Sequence, residues 1–361
     1  MFFDWLDTDN SAAGCPAAIV QMATDVRSRY ASNTNGSIVD SDRSNNYETA
    51  VLPLRAARRS FAKMANRYSE TGDTAHALAT GNCLADWVKE EALTQFFNHG
   101  SSEPDHGNHL VQQFNLSLTL PAVAMSYAQI KNVLPESQRQ LIEQWLLRID
   151  ATLEDPTEVA KAQHNHTYWI GAAHAAIGYV THNQALFDKG YQMVQQGINA
   201  IDSDLLFPAE ANRGAFSLGY QFFAAIPLLL VAELGMTQGK NLYAERDGIM
   251  GKVINQRLLP AMAGDTATLA LMQQRAGGYA QKPVKFVNLP ALALYNQRFP
   301  NPSSEDIVNR YIQLLSENAD QTMRPTPIDR GKKSERLPTI HDLFAPEYGG
   351  LVRLLYPFAG Q

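Results

Sequence analysis

Residues 163–180 read QHNHTYWIGAAHAAIGYV. The segment starts with hydrogen-bonding side chains and two aromatic residues, and it continues as an apolar run whose spacing predicts a helix over 167–181. The polar residues therefore lie at the N-terminal end of that helix. Backbone N–H groups and the positive end of the helix dipole favour a negatively charged group at such a position. The sequence thus predicts an anion-binding site at the start of an apolar helix.

Helical periodicity extends outward from this segment in both directions and begins near Tyr47. Turn signals such as Asp155-Pro156 and Phe207-Pro208 separate the apolar runs, and no alternating strand pattern precedes the C-terminus. The other predicted helices cover 74–97, 109–131, 135–153, 184–200, 213–234, 241–261, 286–297 and 304–318. About ten antiparallel helices with short connections predict an all-α fold, a helical toroid or α/α barrel rather than a four-helix bundle.

The N-terminal part of the chain differs in composition from the rest, because residues 1–46 are rich in Ser, Asn, Asp and Gly. Long loops in compact domains are often lids or binding elements, so we predict that 32–46 folds over a cleft. We expect one domain overall, with an N-terminal extension over 1–46 and the helical body over 47–361. A basic segment near the C-terminus, 330–336, is either a solvated loop or a contact for a polyanion.

The charge balance limits the classes of partner. The net charge is -6 and the pI is near 5.9, which argues against a nucleic-acid-binding protein. A local basic cleft on an acidic protein can still attract an acidic polymer. The longest apolar stretch, about 222–231, contains Pro227 and is far shorter than the ~20 residues of a membrane span, so no membrane association is expected. The N-terminus lacks the features of a signal peptide.

Two cysteines, Cys15 and Cys83, are the only ones in the chain, and their spacing fits no zinc site. They are either two separate thiols or a disulfide that ties the N-terminal segment to the helical body in an oxidising compartment. The spacing leaves both possibilities open. His164 and His166 do not predict a metal site either, because residues two apart on a helix point roughly 200° away from each other.

A second candidate segment is ANRGAFSLGYQF, residues 211–222. Arg213 and Tyr220 are seven apart, so in one continuous helix both would lie on the same face. A guanidinium beside a phenol favours the phenolate and lowers the pKa of the tyrosine. The alternative interpretation is that Tyr220 is a core residue with a satisfied hydroxyl, as is common for a tyrosine on an apolar helix.

Residues 165–169 (NHTYW) resemble the Asn-His-Ser-Tyr-Trp motif of the mannuronate-cleaving alginate lyases, polysaccharide lyase family 5. Residues 206–210 (LFPAE) are similar to the family's Phe-Leu-Pro-Asn-Glu, and an Arg again lies seven residues before a Tyr. Residues 14–17 (GCPA) and 28–30 (SRY) resemble the family's Ser-Cys-Pro-Ala and Ser-Lys-Tyr. The resemblance covers most of the chain and is clearest over 160–235.

This resemblance implies an incomplete α/α toroid of about ten or more helices with a deep substrate cleft. It also implies that Cys15 and Cys83 pair, and that the protein is periplasmic or secreted. The catalytic residues that it implies are Asn165, His166, Arg213 and Tyr220. Arg29 takes the place of the family's lysine. The substrate-binding residues that we expect are Arg29, Phe114, Tyr168, Trp169 and Gln221.

The expected reaction is β-elimination in a 4-linked polyuronate. Asn165 and Arg213 neutralise the C6 carboxylate, so that H5 becomes acidic enough to remove. Tyr220 takes H5 and then protonates the leaving O4, since both lie on one face of mannuronate. His166 orients the substrate or acts as a base on the opposite face for guluronate. No metal or organic cofactor is expected, and the partner is an acidic polysaccharide bound by a monomer.

One departure from the family pattern bears on the sugar preference, because Tyr220 is followed by Gln221-Phe222 instead of His-Asn. Glucuronate shares its C4 and C5 geometry with mannuronate. A lyase for polyglucuronate or hyaluronan-like chains is therefore the first alternative. The second alternative is a non-catalytic glycan-binding homologue, which conflicts with the presence of both His166 and Tyr220.

Overall fold

The computed structural model describes most of the helical part of the chain. The described residues are 14–22, 26, 28–30, 37–95, 106–153, 164–285, 288–317, 344–345, 348 and 350–351. Within these ranges the only strands are a short antiparallel pair, β1 (Phe344–Ala345) and β2 (Gly350–Leu351), besides a single bridge between Tyr30 and Val39. The prediction of an all-α fold is confirmed.

The α-helices of the described part follow one another with short connections. They are α1 (Ser41–Thr71), α2 (Thr74–Lys89), α3 (His106–Ile130), α4 (Glu136–Asp150), α5 (Asn165–Val180), α6 (Gln184–Asn199), α7 (Pro208–Ala211), α8 (Ser217–Met236), α9 (Glu245–Val253), α10 (Leu259–Met262), α11 (Thr266–Arg275), α12 (Pro290–Arg298) and α13 (Pro302–Glu317). The short helices α7 and α11 were not predicted from the sequence. The others fall within or close to predicted segments.

Alternate helices form two layers. In one layer α1 packs on α3, α3 on α5, α5 on α8 and α8 on α12. In the second layer α2 packs on α1 and α4, and α6 covers α5 and α8. The C-terminal part returns to the first layer, since β2 packs on α1 and the Tyr348 phenol donates to the carbonyl of Ile226 in α8 (3.0 Å). This alternation is that of an α/α toroid, which confirms the predicted architecture.

Helix α5 is the most deeply buried helix near the site, and glycines bring α6 close to it. A Cβ atom on Gly190 would collide with the carbonyl oxygen of Gly171, and one on Gly178 would collide with the backbone of Phe187. His174, on α5, is buried and pairs through Nδ1 with the Asp150 carboxylate at the end of α4 (2.8 Å). These contacts on several sides fix the position of the N-terminus of α5.

The N-terminal segment is attached across α2. Cys15 and Cys83 form a disulfide with a Cα–Cα distance of 5.5 Å, which confirms the predicted pairing. The indole of Trp87 donates to the carbonyl of Pro16 (2.8 Å), and the N–H of Leu93 donates to the carbonyl of Ile19 (2.8 Å). The segment therefore runs in a defined direction toward Tyr30.

The predicted lid over 32–46 is wrong in its second half. Residues 41–46 form the first turns of α1, because the Asp40 side chain caps the helix by accepting from the N–H of Arg43 (3.0 Å). The sequence there is polar because these turns face solvent. Residues 37–40 are non-helical and lie beside Tyr30, whereas 31–36 lie outside the described residues. The basic segment 330–336 also lies outside them.

Helix α8 and the turn before it, Gly214–Met236, are long and apolar enough to cross a membrane by length and composition. The sequence-based estimate of a shorter apolar stretch was therefore too small. Most of this segment is buried against α5, α6 and α12, as is usual for the central helix of a folded domain.

Candidate active site

The N-terminus of α5 carries the first two candidate catalytic residues. His164 is the N-cap, and its Nδ1 accepts from the N–H of His166 (3.1 Å). The His166 ring stacks on Phe114 of α3 with centroids 4.1 Å apart. Burial lowers the pKa of His166 well below its ordinary value, and the nearby His164 and Arg213 act in the same direction. His166 is therefore a neutral imidazole at neutral pH, and can accept a proton or a hydrogen bond.

Arg213 and Tyr220 are close together, but they do not belong to one continuous helix. The chain leaves α7, passes Arg213 and makes a 3-10 turn over Gly214–Phe216 before α8 begins at Ser217. Gly214 has φ +54°, a backbone conformation that other residues rarely adopt. The turn places the guanidinium carbon of Arg213 4.9 Å from the centroid of the Tyr220 ring. The expected proximity is confirmed, whereas the expected helical geometry is wrong.

The hydroxyl of Tyr220 lies 2.5 Å from the hydroxyl of Tyr30, so the two phenols share a hydrogen bond. Arg29 donates from Nη2 to the same Tyr30 oxygen (2.9 Å) and forms an ion pair with Glu48 (3.6 Å). Arg29 thus reaches Tyr220 through the Tyr30 hydroxyl. Tyr30 was not predicted as a site residue, although the Ser28-Arg29-Tyr30 match contained it.

The pKa of Tyr220 is raised above its ordinary value, which corrects the prediction that the neighbouring arginine lowers it. Burial is the largest cause, and the nearby Tyr30 adds to it. The positive charges of Arg29 and Arg213 act in the opposite direction but do not outweigh burial. A phenol in this environment stays protonated in the absence of substrate, and its phenolate is a strong base.

Glu210, at the end of α7, connects two candidate catalytic residues. Its Oε1 accepts from both the backbone N–H and the side-chain amide of Asn165, each at 2.8 Å. Its Oε2 accepts from Nε of Arg213 (3.2 Å). The Glu210 carboxylate is fully buried, whereas the Arg213 side chain is 19% exposed. Asn165 and Arg213 therefore meet on one carboxylate although 48 positions separate them in the sequence.

A cluster of aromatic side chains packs against the candidate catalytic residues. Phe223 contacts the rings of Phe114, Trp169 and Tyr220, with centroids 6.1, 5.4 and 6.2 Å away. Tyr168 and Trp169 are 0% and 1% exposed, so neither can act as the sugar platform that the sequence suggested. They are core residues because α5 is packed on several sides. Phe114 is partly exposed beside His166, and its contact with substrate stays a prediction.

Gln221 is also a core residue and not a substrate ligand. Its Oε1 accepts from the N–H of Phe207 (2.8 Å), and its Nε2 donates to the Phe207 carbonyl (2.9 Å). Both ends of the amide are therefore used to hold α8 against the segment before α7. Gln221 is 0% exposed, so this position contributes to packing in the described structure.

A further cation lies at the edge of the site and was not singled out from the sequence. Lys282 places its ammonium 4.3 Å from the centroid of the Phe216 ring, and Phe216 in turn contacts Tyr30 (6.1 Å). The backbone N–H of Lys282 donates to the carbonyl of Ala215, which fixes this segment beside the 3-10 turn (2.8 Å). Arg29, Arg213 and Lys282 thus lie around the site, with Arg29 paired to Glu48 and Arg213 paired to Glu210.

A helical toroid with a phenol pair, a neutral imidazole and several cations is suited to proton transfer on an acidic sugar chain. Comparison with known families agrees: residues 20–282 match the model described as Alginate lyase. The chain belongs to the alginate lyase family and is a polysaccharide lyase.

Curated relatives and solved structures are similar to this chain over different lengths. A "Polysaccharide lyase" of Stenotrophomonas maltophilia is 29% identical over 76% of this chain and 83% of that protein. An "Alginate lyase" of Azotobacter vinelandii is 26% identical over 63% of this chain, which spans 60% of that protein. The structure of alginate lyase A1-III from a Sphingomonas species aligns with a TM-score of 0.67 at 21% identity, covering 97% of this chain and 87% of that one. A variant of A1-III in complex with a tetrasaccharide aligns with a TM-score of 0.70 and the same identity, over 97% of this chain and 86% of that one.

Proposed function

We propose that this protein cleaves a 4-linked polyuronate by β-elimination, with the mannuronate chains of alginate as its preferred substrate. The observation that carries this proposal is the hydrogen-bonded pair of Tyr220 and Tyr30 between two arginines. Relatives named as alginate lyases support the substrate class. The same site would also serve a glucuronate chain, because C4 and C5 have the same geometry in both sugars.

In the proposed reaction, Arg213 and the amide of Asn165 offset the negative charge of the C6 carboxylate. Tyr220 first loses its phenolic proton to solvent. The resulting phenolate takes H5 as a proton, and the electron pair of the C5–H5 bond forms the C4=C5 double bond. The C4–O4 bond breaks, and the same tyrosine returns its proton to O4. The positive charges of Arg29 and Arg213 stabilise the negative charge of Tyr220 before the proton arrives. The short contact with the Tyr30 hydroxyl holds the Tyr220 oxygen in position.

His166 has a separate role in this proposal. Its neutral ring, held flat on Phe114, orients the substrate by a hydrogen bond. In guluronate H5 lies on the opposite face of the sugar, and there the imidazole would act as the base. His166→Ala should therefore lower activity on guluronate-containing chains more than on polymannuronate.

We further propose that the protein acts outside the cytosol, as a periplasmic or secreted monomer. The Cys15–Cys83 disulfide supports this location, because such bonds persist in oxidising compartments and are rare in the cytosol.

The test is an ultraviolet absorbance assay for the new C4=C5 double bond, which is conjugated to the carboxylate. Pure polymannuronate, polyguluronate, polyglucuronate and hyaluronan are compared under one condition. We expect the highest rate on polymannuronate. A higher rate on polyglucuronate or hyaluronan would show that the protein prefers one of these alternative substrates. If none of the four substrates gave an absorbance increase, the proposal of an active lyase would be contradicted.

A further inference from the structure

We propose that Glu210 is a positioning residue for the elimination, and that its buried carboxylate orients both groups that neutralise the substrate, Asn165 and Arg213. This inference rests on the proposed function of the site. Glu210 belongs to neither the acid–base pair nor the set of residues that touch the sugar. It acts through its two partners.

The geometry of Asn165 supports this role first. An ionised carboxylate only accepts hydrogen bonds, so the amide NH2 of Asn165 must face Glu210, and its two amide atoms cannot exchange places. Glu210 also holds the backbone N–H of Asn165 at the start of α5. One oxygen atom of Glu210, Oε1, thus fixes both the side chain and the backbone of Asn165.

The fixed amide has a chemical consequence for the site. Its carbonyl oxygen, Oδ1 of Asn165, is buried and has no hydrogen-bond partner among the described residues. Leaving such an acceptor unpaired costs free energy, and a free asparagine would rotate to avoid it. Glu210 prevents that rotation, so the Asn165 side chain, which is 0% exposed, keeps one orientation with its carbonyl oxygen as the unpaired atom.

The second partner is Arg213. Glu210 accepts from Nε, which fixes the plane of the guanidinium from its inner end (3.2 Å). The guanidinium carbon then lies 4.9 Å from the Tyr220 ring centroid. A buried carboxylate needs such partners to be tolerated, and both partners of Glu210 are site residues. The ion pair is therefore built into the site rather than into the surrounding core.

Glu233 in α8 provides a matched control elsewhere in the molecule. Its carboxylate also holds an arginine, Arg298, through Nε and Nη2 (3.2 and 2.5 Å), and it accepts from the Tyr243 phenol (2.6 Å). The two glutamates thus share chemistry and partner type. They differ in that neither Arg298 nor Tyr243 is a candidate site residue.

The experiment compares Glu210→Gln with Glu233→Gln on the best substrate of the unmodified protein. A glutamine at 210 keeps one acceptor but places an N–H2 group against either Arg213 or Asn165, so one of them loses its orientation. We expect kcat to fall about 10- to 100-fold with a smaller change in KM, since small misplacements of reacting groups cost rates of this order. Glu233→Gln should keep kcat and KM within about twofold, because weakening the ion pair with Arg298 lowers the stability of the fold but leaves the site residues in place.

Equal loss of kcat in both variants would overturn the proposal, and so would a normal kcat in Glu210→Gln. If Glu210→Gln does not fold, Glu210→Asp takes its place, because it keeps the charge but withdraws the carboxylate by one methylene. A folded Asp variant with normal kcat would also overturn it, and one with reduced kcat and an unchanged melting temperature would support it. Failure of the proposed function is distinguishable, because the unmodified protein would then form no unsaturated product.

Discussion

The two sides of the site are held by different physical means. On one side, Asn165 and Arg213 meet on the buried carboxylate of Glu210, inside the helical body. On the other side, Arg29 and Tyr30 come from the N-terminal segment and reach Tyr220 through partly exposed contacts. The two groups that we propose to neutralise the substrate are thus held by the core. The contact to the Tyr220 hydroxyl comes from a segment that the disulfide and hydrogen bonds attach to the helical body.

That attachment is made at several points. The disulfide and the Trp87–Pro16 hydrogen bond hold the beginning of the segment. Near its end, the N–H of Asp40 donates to the Arg29 carbonyl (3.0 Å), and Arg43 donates to the Tyr30 carbonyl (3.2 Å). The site residues of this segment are therefore fixed independently of the disulfide.

The largest effect on kcat is expected at Tyr220, which contacts Arg213 on one side of the site and Tyr30 on the other. Tyr220→Phe preserves the ring and its contact with Phe223 but removes the hydroxyl that takes and returns the proton. We expect kcat to fall by about 10⁴-fold, the upper end for one acid–base group, because both roles are lost. Binding of an oligosaccharide, measured by calorimetry, should stay within a few-fold of the unmodified protein. Near-normal turnover would contradict the assignment.

Tyr30→Phe tests how much the N-terminal segment contributes to kcat. The variant keeps the ring against Phe216 but removes the hydroxyl that contacts Tyr220. We expect kcat to fall by about 10²-fold, the lower end for a proton-handling group, since Tyr220 itself remains. Tyr311→Phe is the control, because it removes one phenol hydrogen bond, to the Val284 carbonyl, away from the phenol pair (3.1 Å). If both variants keep full activity, the N-terminal segment serves packing only.

The pH dependence of kcat tests how the positive charge of Arg29 affects the pKa of Tyr220. Burial raises the pKa of Tyr220, so at neutral pH most of it is protonated and kcat should rise with increasing pH. Arg29 acts in the opposite direction and lowers that pKa. Arg29→Met should therefore move the rising limb about one unit higher in pH, a roughly tenfold loss at a fixed pH on that limb. Arg55→Met, which removes the other arginine paired with Glu48, should leave the limb unchanged.

The sequence predicted one side of the site better than the other. Motif resemblance and helix position identified Asn165, His166 and Arg213, because these residues lie in local segments with a clear pattern. Tyr30 contacts Tyr220 across 190 positions, and no periodicity signals such a contact. Glu210 was visible only as part of a matching motif. Its role depends on burial and on two partners from separate segments.

Three features of the site differ from their expected form for physical reasons. Tyr168 and Trp169 carry the motif but point into a helix packed on several sides, which a single sequence does not reveal. The positive φ of Gly214 ends the continuous helix that Arg213 and Tyr220 were expected to share. The sign of the Tyr220 pKa shift was wrong because burial outweighs the neighbouring cations. The all-α toroid was predictable because the apolar periodicity repeats along the whole chain.

The smallest effect on turnover is expected from removing the disulfide. Cys15→Ser with Cys83→Ser opens a closed loop of 68 residues, which should lower the free energy of unfolding by about 4 kcal/mol in the chain-entropy description. The Trp87, Asp40 and Arg43 contacts remain, so Tyr30 should still reach Tyr220, and kcat of the folded protein should fall no more than about threefold. Denaturant unfolding and initial rates measure the two quantities separately. If kcat instead falls as far as in Tyr30→Phe while the melting transition stays cooperative, the position of Tyr30 depends on the disulfide, and the two sides of the site are coupled through the N-terminal segment.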